Sequence, residues 1–150
     1  MGPTMIPALL LTMTLTIYVP QAGGINGNGI MADGTRPQMG HVACGPRYPF
    51  GTLFEIMLDE MPFGLPRVFE CRDRGGMVGN KHLDMVLDSD DVRRDLTNAR
   101  SWGKRRIPVR VWKDWNEYQA MLPPPEPPVP TVEDGDIETS SGRGIAAVAL

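Results

Sequence analysis

Glycine and proline cut this sequence into short pieces: 17 glycines and 15 prolines are spread through 150 residues, about a fifth of the chain. Neither belongs inside a helix, because glycine loses the most conformational freedom and proline lacks the amide hydrogen and clashes with the preceding turn. A helical bundle is therefore excluded, and so is collagen, since the glycines follow no three-residue period. What remains is a domain of short strands and tight turns. The length suits one domain, and 41% apolar residues can fill one core.

The first strand is predicted where Thr12, Thr14, Thr16 and Tyr18 alternate with Met13, Leu15, Ile17 and Val19. The longer apolar run from Met5 to Val19 raises a rival reading, an export signal leading into that strand. No Lys or Arg precedes the run, and Pro7 and Pro20 bracket it, so it makes neither a convincing signal peptide nor a transmembrane segment. Further strands are expected near His41–Cys44, Leu53–Leu58, Arg67–Arg72, His82–Val86 and Ile107–Trp112. The glycine-rich Gly23–Gly29 stretch reads as a lid or a wide connection. One helix is expected from a cap at Ser89 or Asp90, with Asp90 and Asp91 in its first turn and Val92, Leu96 and Ala99 on one face. A second starts at Asp114, where Glu117 stands at capping-box spacing, and stops at Pro123.

Charge divides the chain unevenly. Residues 121–150 hold Glu126, Glu133, Asp134, Asp136 and Glu138 against Arg143, a net −4 that leaves +1 for residues 1–120. The Pro-rich run from Pro123 and the acidic stretch after it read as a disordered tail, 122–150, closing on the apolar Ile145–Leu150. A local excess of +7 lies between Arg93 and Lys113, where Arg93, Arg94, Arg100, Lys104, Arg105, Arg106, Arg110 and Lys113 face only Asp95. Such a cluster holds carboxylates or phosphates, or is simply a solvated face; no aromatic interleaving or motif accompanies it, which argues against nucleic acid.

Cys44 and Cys71 have two readings, a disulfide closing 27 residues or a pair of buried thiols. With His41 and His82 they form neither a CxxC nor an HxxxH pair, so no metal is expected. The densest chemistry lies in Glu70-Cys71-Arg72-Asp73-Arg74-Gly75-Gly76 and Leu83-Asp84. Asp73 leaves a strand for a Gly-Gly turn, and eleven residues later Asp84 lies in the next strand, so the two carboxylates can return to neighbouring positions and one can stay protonated as an acid. The plainer reading is that Asp73 only bonds turn amides.

Ala32-Asp33-Gly34-Thr35, Val42-Ala43-Cys44-Gly45, Tyr48-Pro49-Phe50-Gly51-Thr52, Asp73-Arg74-Gly75-Gly76, Leu83-Asp84 and Ser101-Trp102-Gly103-Lys104-Arg105 follow one another at family-like spacing. In this order they resemble the three-aspartate (3D) domain, the barrel of membrane-bound lytic transglycosylase A, related more distantly to rare lipoprotein A and expansins. The resemblance covers about residues 12–113 and implies an all-β fold: a six-stranded double-psi β-barrel with one or two short helices, here spanning 12–121 after a lead-in at 1–11. It also implies cleavage of the MurNAc–GlcNAc bond of peptidoglycan to a 1,6-anhydro product without a cofactor. Asp84 falls where lytic transglycosylases carry their catalytic acid, and Asp73 on the second family aspartate.

The chain departs from that pattern at the first aspartate, where it has Cys44, and at the position where rare lipoprotein A-like members place a histidine, where it has Gly45. A Cys44–Cys71 disulfide would then replace the missing carboxylate beside the site. Tyr48, Trp102, Gly75 and Gly76 are expected at the substrate, the aromatics because sugar rings stack on them; Tyr18, Trp112 and Trp115 are further stacking residues, and a buried structural role is the alternative for all of these aromatics. The implied partner is the peptidoglycan glycan strand, and the implied location extracellular, at the cell envelope or on a virion. The rival to an enzyme is a non-catalytic barrel acting as a binding or structural module, for instance with other proteins of a bacteriophage virion or an envelope.

Overall fold

The computed structural model describes residues 9–22 and 31–130. Six strands are present: β1 (Leu9–Tyr18), β2 (His41–Ala43), β3 (Leu53–Ile56), β4 (Val68–Asp73), β5 (His82–Val86) and β6 (Arg105–Trp112). They close into a barrel in the order β1-β5-β2-β4-β3-β6, the six-stranded barrel expected above. Two neighbouring pairs are parallel, β1 with β5 and β2 with β4, and the other four are antiparallel.

Period-2 alternation builds the wall. Met13 and Leu15 of β1, Val42 of β2, Phe54 and Ile56 of β3, Phe69 of β4, Leu83 and Met85 of β5 and Ile107 and Val109 of β6 turn inward and are buried. Removing each such side chain from water favours the fold by roughly 1.5–3 kcal/mol. The strand β1 starts three residues before the predicted Thr12, because β6 offers a partner along that length: Leu9, Leu10 and Leu11 pair with Val111, Arg110 and Val109. The barrel wall therefore takes in part of the stretch expected as a lead-in.

Helix α1 (Val92–Trp102) joins β5 to β6, and its cap is Asp91, not Ser89 or Asp90. The Asp91 carboxylate accepts from Arg94 N at 3.0 Å. Ser89 is already engaged, its amide and hydroxyl both donating to the buried Asp95, and Asp90 adopts a positive φ of 66° as the chain turns into the helix. The buried residues of α1 are Asp95 and Trp102, with the expected Val92, Leu96 and Ala99 only half-buried. Helix α2 (Trp115–Met121) is capped as expected, by Asp114 accepting from Glu117 N at 2.9 Å. Residues 123–130 follow as an exposed segment without regular structure, while Gly23–Gly29, the acidic stretch from Glu133 and Ile145–Leu150 lie outside the described residues.

Candidate functional site

The strand register assembles the site. Ala43 of β2 is the Cα partner of Asp84 on β5 and of Asp73 on β4, and Asp84 is in turn the partner of Thr16 on β1. Thr16, Asp84, Ala43 and Asp73 thus form one row across four adjacent strands. Ladder partners share a face, so their side chains project from the same side of the wall. That side is the outer one, because Leu83 and Met85, flanking Asp84, point into the core.

The two aspartates are not on neighbouring strands, as their spacing had suggested, since β2 runs between β4 and β5. Two strand spacings put their Cα atoms roughly 10 Å apart. Ala43 lies between them and is itself buried, only 2% exposed. A register shift between Val42 and Ala43 completes the row: Val42 pairs with Cys71, but Ala43 pairs with Asp73, so Arg72 is the extra residue. In a regular strand Asp73, two residues beyond the inward Cys71, would point into the barrel; the bulge turns it outward.

Asp84 is held by side chains. Thr16 Oγ1 lies 2.8 Å from its Oδ1 and 2.6 Å from His82 Nε2. An ionised carboxylate only accepts, and a hydroxyl has one hydrogen, so Thr16 donates to Asp84 and accepts from His82 Nε2–H. With Asp84 ionised this puts a hydrogen on His82 Nε2, and the Asp84 Oδ2 is left without a donor among the described residues. Burial pushes the Asp84 pKa above its ordinary value; the Thr16 hydrogen bond and His82 oppose the shift, and the charge of Asp73 adds to it. Those are the conditions for a general acid.

Asp73 is held by backbone. Its Oδ1 accepts from Arg74 N and from Ala32 N, both at 2.8 Å. The second bond ties the 31–35 loop to the end of β4. Within that loop Asp33 accepts from the Thr35 amide and hydroxyl and pairs with Arg72 at 3.4 Å. Burial works to raise the Asp33 pKa, but Thr35 and Arg72 outweigh it and hold the carboxyl below its ordinary range. Beside the row, the Tyr18 hydroxyl is buried and lies close to the Asp73 carboxylate. Burial first, then the charges of Asp73 and Asp84, raise its pKa well above that of a free tyrosine.

Cys44 and Cys71 are joined by a disulfide, with Cα atoms 5.7 Å apart. Both are part of the core cluster, so the bond braces the wall behind the row and does not stand in it. Arg74 covers it: Nη1 donates to Cys44 Sγ at 2.9 Å and Cys71 Sγ at 3.1 Å, Nη2 donates to Tyr48 O at 2.6 Å, and the guanidinium lies 4.3 Å over Phe50. Gly45 is required as glycine, since a Cβ there would stand 2.5 Å from Asn80 Oδ1 and 2.6 Å from Asn80 N. A histidine cannot occupy that position while Asn80 holds the turn by accepting from Arg47 N.

The remaining expected residues divide. Gly75 and Gly76 line a shallow depression of about 700 Å³ together with Pro46, Arg74, Met77 and Val78. It starts one residue past Asp73, and neither aspartate lines it. Gly75 packs so closely that a Cβ would meet Val78 Cγ2 at 2.5 Å. Tyr48 is half-buried and packs edge-on against Phe54, ring centroids 5.1 Å apart. Trp102 is buried in the wall: it is 4% exposed, donates from Nε1 to Leu15 O at 3.0 Å, and carries Arg105 on its ring. Trp112, also 4% exposed, packs under Tyr118, and Trp115 at 41% is the most open of the three tryptophans.

Thr16 and His82 were missed as site residues, and Tyr18 was seen only as a stacking ring. Their one visible signal is the outward Thr12-Thr14-Thr16-Tyr18 stripe, a polar face that needs partners on an adjacent strand. Among the described residues no cluster of three His, Cys, Asp or Glu side chains is arranged to hold a metal.

Fold and site define a closed six-stranded barrel with a carboxylate row on its outer wall. A solved structure of the Escherichia coli lytic transglycosylase MltA, an aspartate-to-alanine variant in its apo-2 form, is similar over 55% of this chain, at 17% identity and a TM-score of 0.39. The similarity spans 26% of that chain, about a quarter of its length. No protein-family model and no curated protein sequence matches. No helix among the described residues is long and apolar enough to cross a membrane.

Proposed function

We propose that the barrel is a peptidoglycan-active domain of the lytic transglycosylase kind, with Asp84 as its acid and base. The observation that carries this reading is the state of Asp84, a half-buried carboxyl with a raised pKa, one oxygen fixed by Thr16 and the other unpartnered among the described residues. A proton from Asp84 passes to the glycosidic oxygen as the C1–O bond of MurNAc breaks and positive charge develops on the ring. The carboxylate left behind takes the proton of the same sugar's C6 hydroxyl as O6 bonds to C1. The acid is restored, and the products are a 1,6-anhydro end and a free GlcNAc hydroxyl; neither water nor a second acid/base is consumed.

In this scheme Asp73 adds negative charge that favours the protonated form of Asp84 and anchors the 31–35 loop at the edge of the row. The location that follows is the cell envelope. A second reading, a barrel that binds glycan or another envelope protein without cleaving it, is favoured by Cys44, which is locked in a disulfide where the resemblance expects a carboxylate. Incubating the protein with purified peptidoglycan and analysing the soluble fraction by mass spectrometry separates the two. Muropeptides with 1,6-anhydro ends support the enzyme; bound but uncleaved peptidoglycan supports the module.

A further inference from the structure

Of the eight basic residues between Arg93 and Lys113, seven are exposed, and three of the eight have partners of their own in the barrel. Arg110 pairs with Glu55 at 3.4 Å, Arg105 lies 4.3 Å over Trp102, and Arg94 donates to the Ser89 hydroxyl at 3.2 Å. Arg106 is exposed, and among the described residues it is in none of the ion pairs.

Register places Arg106 beside the carboxylate row. It is the antiparallel partner of Thr14, and Thr14 is the parallel partner of His82. Arg106, Thr14 and His82 therefore form a second outward row across β6, β1 and β5. It runs alongside the Thr16–Asp84 row, offset by two residues along the strands, or roughly 7 Å. The chain from His82 through Thr16 to Asp84, at 2.6 and 2.8 Å, links the two rows. One cation, Arg106, thus lies on the row that adjoins the acid, on the same face of the wall.

We infer that Arg106, with Thr14 and His82 beside it, is a carboxylate-binding subsite that selects glycan strands carrying an anionic substituent on the sugar next to Asp84. This rests on the glycan reading given above and adds the substrate feature that the site selects. A guanidinium presents a planar fork of donors that matches a carboxylate, and an arginine with no internal partner keeps that fork available. In peptidoglycan the lactyl ether of each MurNAc ends in such a carboxyl, free or bearing a peptide with carboxylates of its own, whereas chitin has none.

Calorimetric titration of the full chain with two ligands tests this: a MurNAc–GlcNAc tetrasaccharide with free lactyl carboxylates, and neutral chitotetraose. The wild type is expected to prefer the charged ligand about tenfold, with the preference shrinking as salt is added. Arg106→Gln should bring the ratio of the two affinities toward one. Arg110→Gln removes the same charge from the same strand but away from Thr14, and should keep the preference; a matching melting temperature checks that each variant is folded. Equal loss of preference in both variants overturns the subsite in favour of a general field. Equal binding of both glycans by the wild type overturns the subsite alone and leaves the glycan reading standing, whereas binding of neither overturns both.

Discussion

The two aspartates of the outer row are chemically identical side chains held in opposite ways. Asp73 sits at a strand end, with one oxygen bonded to two backbone amides that also fasten a loop. Asp84 sits mid-strand, with one oxygen bonded to a threonine hydroxyl, and burial pushes its pKa up. Backbone amides are fixed donors that tie a carboxylate into the fold, whereas the single hydroxyl at Asp84 leaves the second carboxyl oxygen without a donor among the described residues. One end of the row is therefore suited to architecture and the other to proton transfer.

The largest expected effect lies at the architectural end. Replacing Cys44 and Cys71 together by Ala removes the cross-link behind Asp73 and should cost about 3–4 kcal/mol in the chain-entropy view, read as a lower denaturant midpoint. A double variant as stable as the wild type would show that core packing alone braces this end. Free-thiol titration of the denatured, unreduced protein should find no thiol.

At the other end, Asp84→Asn should lower muropeptide release by about 10² or more, since an amide cannot exchange the proton. Its stability should move the other way. The folded pKa of Asp84 lies above its ordinary value, so the stability it contributes is complete below that value and is lost as pH rises through the folded one. The variant should melt above the wild type at neutral pH and show no gain at about pH 3. A variant that melts lower at neutral pH would give Asp84 the structural role assigned here to Asp73.

The smaller effect belongs to Asp73→Ala, which deprives two amides of their acceptor and should cost about 1–2 kcal/mol. Faster hydrogen exchange at Ala32 would place the loss in the 31–35 loop. Unchanged exchange and stability would dissolve the contrast between the two ends.

Much of this was legible in the sequence. The Thr/Met alternation of β1, the Gly and Pro punctuation and the Asp114–Glu117 cap are local signals, and each formed the element it predicted. What could not be read was long-range. Asp84 meets Thr16 and His82 only through a parallel pairing of strands 66–68 residues apart, and nothing local in either strand specifies it. The bulge at Val42/Ala43 is equally silent, yet it decides that Asp73 faces outward. Trp102 misled because an indole beside glycine suits either a sugar platform or a buried anchor; its bond to Leu15 O, 87 residues away, makes it the anchor.

The contrast between the carboxylates is tested most directly by following the side-chain carboxyl carbons of Asp73 and Asp84 in a pH titration by NMR. The account predicts that the Asp84 carbon titrates with a midpoint clearly above the ordinary carboxyl value of 3.8, and that Thr16→Val moves that midpoint higher still by removing the hydrogen bond that opposes the shift. An Asp84 midpoint at or below 3.8, or one that Thr16→Val leaves in place, would contradict it.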